Sequence, residues 1–196
     1  YIENVIQKYI WLSGGMDSAT LAAYYIDQGY EVYPISFNYG SKHNKYEQEM
    51  AKKFANYYNM PEIKYIQLPF INQLFKSNLL GGQGDIPEGH YENENMSLTV
   101  VPARNIIFAS IMVGYAWSIG AEIVALGVHS GDHAIYGDCR AGFISAMNSA
   151  VIQASNDKVR LEAPFQYLNK TEILKIGYRL SILVPYQYTR TCYKDQ

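Results

Sequence analysis

The sequence predicts an α/β protein built on an open, mostly parallel sheet with flanking helices. Three observations carry that prediction. A short apolar run, Tyr9 to Leu12, leads into Ser13-Gly14-Gly15-Met16-Asp17-Ser18 and then into a helical pattern. Strand-like and helix-like stretches keep alternating along the chain, which implies parallel strands joined by right-handed crossovers. The 196 residues, 48% hydrophobic and 17% charged, suffice for one globular α/β domain with a substantial core.

In chain order, Tyr9 to Leu12 reads as the first buried strand, with one turn of helix as the alternative for so short a run. Ser18 to Gln28 reads as a helix that Gly29 stops. Glu31 to Phe37 is a second strand, in which Pro34 marks a strand end or an irregularity. After the turn Asn38-Tyr39-Gly40-Ser41 comes a helix over Lys42 to Tyr58, with Tyr46, Met50, Phe54 and Tyr57 as its inner stripe. Ile63 to Leu68 is a third strand and Phe70 to Phe75 a short helix. The glycine-containing stretch 77–100 reads as a lid-like insertion in a single domain, 1–196. The nearly uniform apolar character of Asn105 to Ile119 predicts a helix buried on most sides. Glu122 to Leu126 and Val159 to Ala163 are strands; Phe143 to Ala154 and Thr171 to Arg179 are helices.

The first strand-helix junction is where chemistry is expected. Two glycines let the backbone turn sharply and approach a ligand. The helix that follows offers unpaired N–H groups and the positive end of its dipole, a seat for phosphate or pyrophosphate. Ser13 and Ser18 add hydroxyls, and Asp17 either caps the helix or helps hold a metal on the phosphates. An ordinary capped turn has the same few residues. The loop lacks the Gly-Lys-Ser/Thr of a Walker A motif, and it is not Gly-x-Gly-x-x-Gly. It resembles the pyrophosphate loop of the PP-loop ATPases, which cleave ATP to AMP and pyrophosphate.

Ligands of open α/β sheets sit beyond the carboxyl ends of the strands, which brings loops 13–18, 38–43 and 127–140 together. Arg104 reads either as a surface arginine or as a guanidinium that Val101-Pro102 aims at a phosphate or carboxylate. His129, Asp132, His133, Tyr136, Asp138, Cys139 and Arg140 crowd one loop, a pattern suited to substrate recognition. Their spacing matches no common zinc pattern, and no base is placed by sequence to activate Cys139. Lys170 is a solvated lysine or a contact to ATP phosphates.

Six segments occur in order: Ser13-Gly14-Gly15-Met16-Asp17-Ser18, Phe37-Asn38-Tyr39-Gly40, Asp85-Ile86-Pro87-Glu88-Gly89-His90-Tyr91, Val101-Pro102-Ala103-Arg104-Asn105, Tyr136-Gly137-Asp138-Cys139-Arg140 and Thr191-Cys192-Tyr193. Together they closely resemble the QueC family of queuosine-precursor enzymes, the 7-cyano-7-deazaguanine synthases. The resemblance covers nearly the whole chain. It implies a PP-loop, adenine-nucleotide α-hydrolase-like (Rossmann-like) fold. It also implies ATP-dependent conversion of 7-carboxy-7-deazaguanine and ammonia to the nitrile, through an adenylated carboxylate and an amide. The implied nucleotide site is Leu12, Ser13, Gly14, Gly15, Met16, Asp17, Ser18, Ala19 and Thr20, with Arg104 and Gly127. The implied substrate site is Tyr39, His43, His129, Asp132, Tyr136, Asp138 and Arg140. Asp17, Arg104, Asp132 and Lys170 are the implied catalytic set, with Mg²⁺ bridging phosphate oxygens. The family pattern also suggests a homodimer and a four-cysteine zinc cluster. Cys192 matches the first ligand, and the other three are expected beyond the printed residues, so the C-terminal segment reads as truncated after Cys192.

The chain departs from the family at one loop. Where Tyr-Pro-Asp-Cys-Arg-x-Glu-Phe is common, it has Tyr136-Gly137-Asp138-Cys139-Arg140-Ala141-Gly142-Phe143. Losing the Glu removes a potential acid, base or ammonium partner. That opens an alternative in which the reaction stops at the amide or the activated acid joins another amine, one on a protein included. Action on RNA is disfavoured by a net charge of −2 and the lack of a basic stripe. A nucleotide sensor without turnover is the non-enzymatic alternative. Two cysteines and no signal peptide or membrane-length apolar run point to a reducing, cytoplasmic setting.

Overall fold

The computed structural model describes residues 7–42, 44–81 and 99–190. Five strands, β1 (Gln7–Trp11), β2 (Glu31–Asn38), β3 (Lys64–Gln67), β4 (Ile123–Ala125) and β5 (Arg160–Glu162), form one sheet in the order β3-β2-β1-β4-β5. All four pairings are parallel. The helices are α1 (Met16–Asp27), α2 (Asn44–Tyr57), α3 (Pro69–Leu74), α4 (Arg104–Ser118), α5 (Ala141–Ala154) and α6 (Lys170–Arg179).

The chain winds outward from β1 to β3, then crosses back to lay β4 on the other side of β1. Right-handed crossovers therefore put helices on both faces. Alternate residues of β2 and β4 feed the two layers: Ile35, Phe37 and Val124 pack in the cluster with Phe108, Met112, Ile144 and Leu161. Val32 and Ala125 pack instead with Leu21, Phe54, Phe165 and Ile173. Reversal of strand order at β1 and β4 opens a crevice at their carboxyl ends, the place for a ligand in such sheets.

Four sequence expectations change. Pro34 is not at a strand end: it pairs with Ile10 inside β2. The Ile35 carbonyl accepts from Leu12 on the β1 side, so Pro34 turns its missing N–H to the other edge, where β3 begins pairing only at Ile35. The inner stripe of α2 is Ala51, Phe54 and Ala55, whereas Tyr46 and Tyr57 are exposed. Helix α4 buries one side only. Asn105, Phe108, Met112 and Ala116 are buried, while Ile106, Ser110, Gly114 and Trp117 are exposed. The first helix starts at Met16, capped by Gly15, so Asp17 and Ser18 lie in its first turn instead of preceding it.

Among the described residues no helix is long and apolar enough to cross a membrane. His43, most of the stretch 77–100 and Cys192 lie outside the described residues. The described beginning of that stretch is fastened near the crevice: Lys42 N–H donates to Leu79 (3.2 Å) and Gly81 N–H to Gly40 (2.8 Å).

Candidate active site

The loop between β1 and α1 is held by its own hydroxyls. Ser18 Oγ accepts from the Ser13 N–H (3.2 Å), donates to the Gly15 carbonyl (3.1 Å) and meets Ser13 Oγ at 3.1 Å. Gly14 has φ +80°, and a Cβ there would run into the Glu47 carbonyl of α2. Gly127, just after β4, lies so near that a Cβ would stand 3.4 Å from the Ser18 nitrogen. The loops after β1 and β4 thus meet backbone to backbone. The first-turn amides of Met16, Asp17 and Ser18 have no carbonyl one turn earlier to bond, and they carry the positive end of α1.

His129 joins these loops electrostatically. Its Nε2 stands 3.5 Å from both Asp17 Oδ2 and Asp132 Oδ2. Its Nδ1 accepts the Gly131 N–H at 3.0 Å, which places the proton of the neutral ring on Nε2, toward the carboxylates. Burial works against the charged imidazolium. The Asp17 contact and the charges of Asp132 and Asp17 outweigh it and raise the His129 pKa. Burial likewise raises Asp132, against the pull of His129. Lys170, at the start of α6, is near enough to act on both groups. Asp17 Oδ1 is buried and has no hydrogen-bond partner among the described residues. An orphaned carboxylate oxygen beside a phosphate-type loop fits a hard cation such as Mg²⁺.

Arg104 enters from the opposite wall as the first residue of α4. Ala103 before it is left-handed, φ +55°. Asp138 Oδ2 accepts the Asn105 N–H at 2.9 Å, and Asn105 Nδ2 donates to the Asp138 carbonyl (3.1 Å) and to Cys139 Sγ (3.2 Å). The Tyr136 ring lies under Arg104, 6.0 Å from the guanidinium carbon, with its hydroxyl 3.1 Å from Thr99 Oγ1. Burial pushes the Cys139 thiol up to about 12, which makes it a packing group, not a nucleophile. Burial also pushes the Glu47 carboxyl up to about 7, against the Arg104 and Arg190 charges.

One cleft is lined by Ser13, Gly15, Asp17, Ser18, Tyr39, Glu47, Arg104, Asn105, Leu126, Gly127, Val128, Asp132 and Cys139. Eight of these are among the implied site residues, Ser13, Gly15, Asp17, Ser18, Tyr39, Arg104, Gly127 and Asp132, and Cys139 belongs to the polar loop the sequence singled out. The surface-arginine alternative for Arg104 is thereby set aside. His129 is buried directly behind the cleft carboxylates. Leu12, Ala19 and Thr20 are core residues, and the Thr20 hydroxyl bonds the Met16 carbonyl (2.8 Å) and meets the Tyr186 hydroxyl (3.0 Å). Asp138 and Tyr136 support α4 and Arg104 without lining the cleft. Arg140 is exposed and donates to the His133 carbonyl at 2.8 Å. Gly142 is exposed, has open space where a Cβ would stand, and does not itself line this cleft. Glu47 was missed, although it stands at the i position of the i, i+4, i+7, i+8 pattern completed by Ala51, Phe54 and Ala55. A larger cavity, about 690 Å³, lies between Trp117, Glu122 and Arg160 at the amino ends of β4 and β5, away from these loops. Among the described residues no group of three or more His, Cys, Asp or Glu side chains is arranged to hold a metal on its own.

Comparison with known proteins identifies the family and the fold. The family described as "Queuosine biosynthesis protein QueC" matches residues 8–196. The chain is 45% identical over 189 residues to the 7-cyano-7-deazaguanine synthase of Caldicellulosiruptor saccharolyticus, covering 96% of this chain and 82% of that protein. It is 43% identical over 193 residues to the synthase of the same name from Pseudoalteromonas atlantica, covering 98% and 87%. Among solved structures it resembles the NH3-dependent NAD synthetase of Campylobacter jejuni, with TM-score 0.53, 20% identity, and 95% and 68% coverage. It also resembles the U34-tRNA thiolase NcsA of Methanococcus maripaludis, with TM-score 0.56, 17% identity, and 97% and 63% coverage. These two share the fold.

Proposed function

The chain belongs to the QueC family of queuosine biosynthesis proteins, and from that premise we propose how its cleft turns 7-carboxy-7-deazaguanine and ammonia into 7-cyano-7-deazaguanine at the expense of ATP. A carboxylate is a poor electrophile, and attaching AMP gives its carbon a good leaving group. Ammonia then forms the amide, and a second adenylation, on the amide oxygen, allows dehydration to the nitrile.

In this reading the Met16, Asp17 and Ser18 amides at the start of α1 hold the departing pyrophosphate. Asp17, through its orphaned Oδ1, would hold Mg²⁺. Mg²⁺, when bound, neutralises phosphate charge. Arg104 balances the acid and the phosphate that activates it, and Tyr136 and Asp138 keep Arg104 and α4 in place. Asp132 and His129 fix the orientation of Asp17, and Lys170 tempers their charge. His43 and Arg140 are left as substrate contacts on the resemblance alone.

Zinc belongs to the family pattern. The printed residues contain two cysteines: Cys139, buried against Asn105, and Cys192, outside the described residues. They do not by themselves make a four-thiolate site, and the cleft chemistry does not call on zinc. A homodimer would have the exposed apolar side of α4, Ile106 and Trp117, available to it. The cytoplasm, with its ATP, is the compartment proposed for this chemistry. An amine other than ammonia, including one on a protein, is the alternative acceptor.

The observation that carries the reading is the meeting of the Ser13–Ser18 loop, Asp132 and Arg104 in one cleft at the strand-order reversal. Pyrophosphate release from Mg-ATP should depend on added 7-carboxy-7-deazaguanine, and D17N should lower it about 10²-fold. Release that ignores the acid, or survives D17N, would overturn it.

A further inference from the structure

Three carboxylates line the cleft: Asp17, Glu47 and Asp132. Asp17 and Asp132 both face His129 Nε2 at 3.5 Å. Glu47 faces another way. It is set on the core-facing stripe of α2, one turn ahead of Ala51, where an apolar side chain would ordinarily stand. Its backbone carbonyl abuts Gly14, which fixes the start of α2 against the phosphate-type loop. The charged and titratable groups around its carboxylate come from three further elements: Arg104 of α4, Arg190 of the C-terminal segment and Tyr39 after β2. Arg190 is tied into the loop by its N–H, which donates to the Gly14 carbonyl at 2.8 Å, while its guanidinium lies 4.7 Å from the Tyr46 ring centre. Asp17 and Asp132 complete the lining.

The proposed reaction needs a base at this place. Near neutral pH the acceptor arrives mostly as ammonium, which has no lone pair. We propose that Glu47 is a catalytic residue that takes a proton from ammonium in the cleft and so generates the nucleophile. This rests on the reading of the site given above. The Glu47 carboxylate gains the proton, and the freed nitrogen lone pair forms the C–N bond at the adenylated carbon. The adduct then loses a second N–H proton to solvent. The C–O bond to the phosphate breaks, its electron pair leaving with AMP, and the amide remains. A half-buried carboxyl that lines the cleft beside two arginines has both protonation states within reach near neutrality, as a proton carrier needs. The sequence pointed to position 142 for the missing ammonium partner; Gly142 lies outside the cleft and Glu47 lines it.

The test compares the wild-type full chain, E47Q and E47D with two acceptors, ammonium and hydroxylamine. Hydroxylamine is mostly unprotonated at neutral pH and needs no base before attack. Expected for E47Q is a first-turnover burst of pyrophosphate, with hydroxamate formation reduced far less than the ammonium-dependent amide and nitrile, which fall about 10²–10⁴-fold. That defect should shrink as pH rises and free ammonia accumulates, and E47D should recover part of the ammonium reaction. Two results would overturn the inference. One is wild-type amide formation by E47Q from ammonium at pH 7. The other is equal loss with both acceptors in E47Q and E47D, which would make Glu47 a support for Arg104. If the wild-type chain forms neither amide nor hydroxamate, the parent reading fails as well, a result distinct from failure of the base alone.

Discussion

The imidazole of His129 lies 3.5 Å from the carboxylate of Asp17, so the loop after β4 is tied to the loop after β1 at the point where strand order reverses. Replacing the ring leaves Asp17 and Asp132 without the donor between them. H129A should lose about 1.5–3 kcal/mol of stability, read from the denaturant midpoint. It should also weaken Mg²⁺ dependence about 10–100-fold, as loss of a group that orients a metal ligand does.

Stability should fall as pH rises through the weakly acidic range. Between 4.5 and about 7 native Glu47 keeps a proton that the unfolded chain has released, so the folded state is favoured at the lower end. Asp132, raised by burial, acts in the same direction. The His129 contribution is complete below the ordinary imidazole pKa and is lost as pH passes its raised value. Chemical denaturation from pH 4.5 to 8 checks this. E47Q should flatten the slope and be more stable than wild type at pH 8.

Gly14 and Gly29 separate backbone strain from site geometry. Both have positive φ, +80° and +82°, but a Cβ on Gly29 meets nothing within 4 Å. G29A should cost about 1 kcal/mol and leave ATP turnover unchanged. G14A should cost more and abolish acid-dependent pyrophosphate release, because the loop must move off Glu47.

The C-terminal segment locks α6 to α1. A Cβ on Gly177 would collide with the Tyr186 hydroxyl, which itself meets Thr20 Oγ1 at 3.0 Å. G177A should destabilise by about 1–3 kcal/mol through overpacking. Y186F removes the colliding oxygen, so the double variant should be more stable than the summed single effects imply, by about 0.5 kcal/mol or more.

The parts of the fold legible in sequence were those set by local pattern. Strand, glycine turn and helix at the amino end, the alternation that makes the sheet parallel, and the loops bearing Asp17 and Asp132 are of this kind. The capping box of α6, in which the Asn169 side chain accepts from Glu172 N–H and the Glu172 side chain from Asn169 N–H, matches its expected start. What local pattern missed was decided at long range. Tyr46 fits the apolar spacing of α2, yet Arg190, 144 positions on, covers its ring from outside. Helix α4 is apolar on nearly every side, but the sheet has only one face to offer it. Asp138 and Arg140 look like substrate contacts because polar residues crowd their loop. Asp138 bonds the start of α4 and Arg140 donates to the His133 carbonyl, so a substrate role for Arg140 rests on the resemblance alone. Glu47 was hidden for the opposite reason: a single charge in an apolar stripe reads as noise until Arg104 and Gly14 are found beside it.

The most direct measurement is the mass of the deazapurine after the full chain is incubated with ATP, Mg²⁺, 7-carboxy-7-deazaguanine and ammonium. The nitrile, formed together with AMP and pyrophosphate, is the expected product. Unchanged acid with no AMP released would contradict the assignment of this cleft to carboxylate activation.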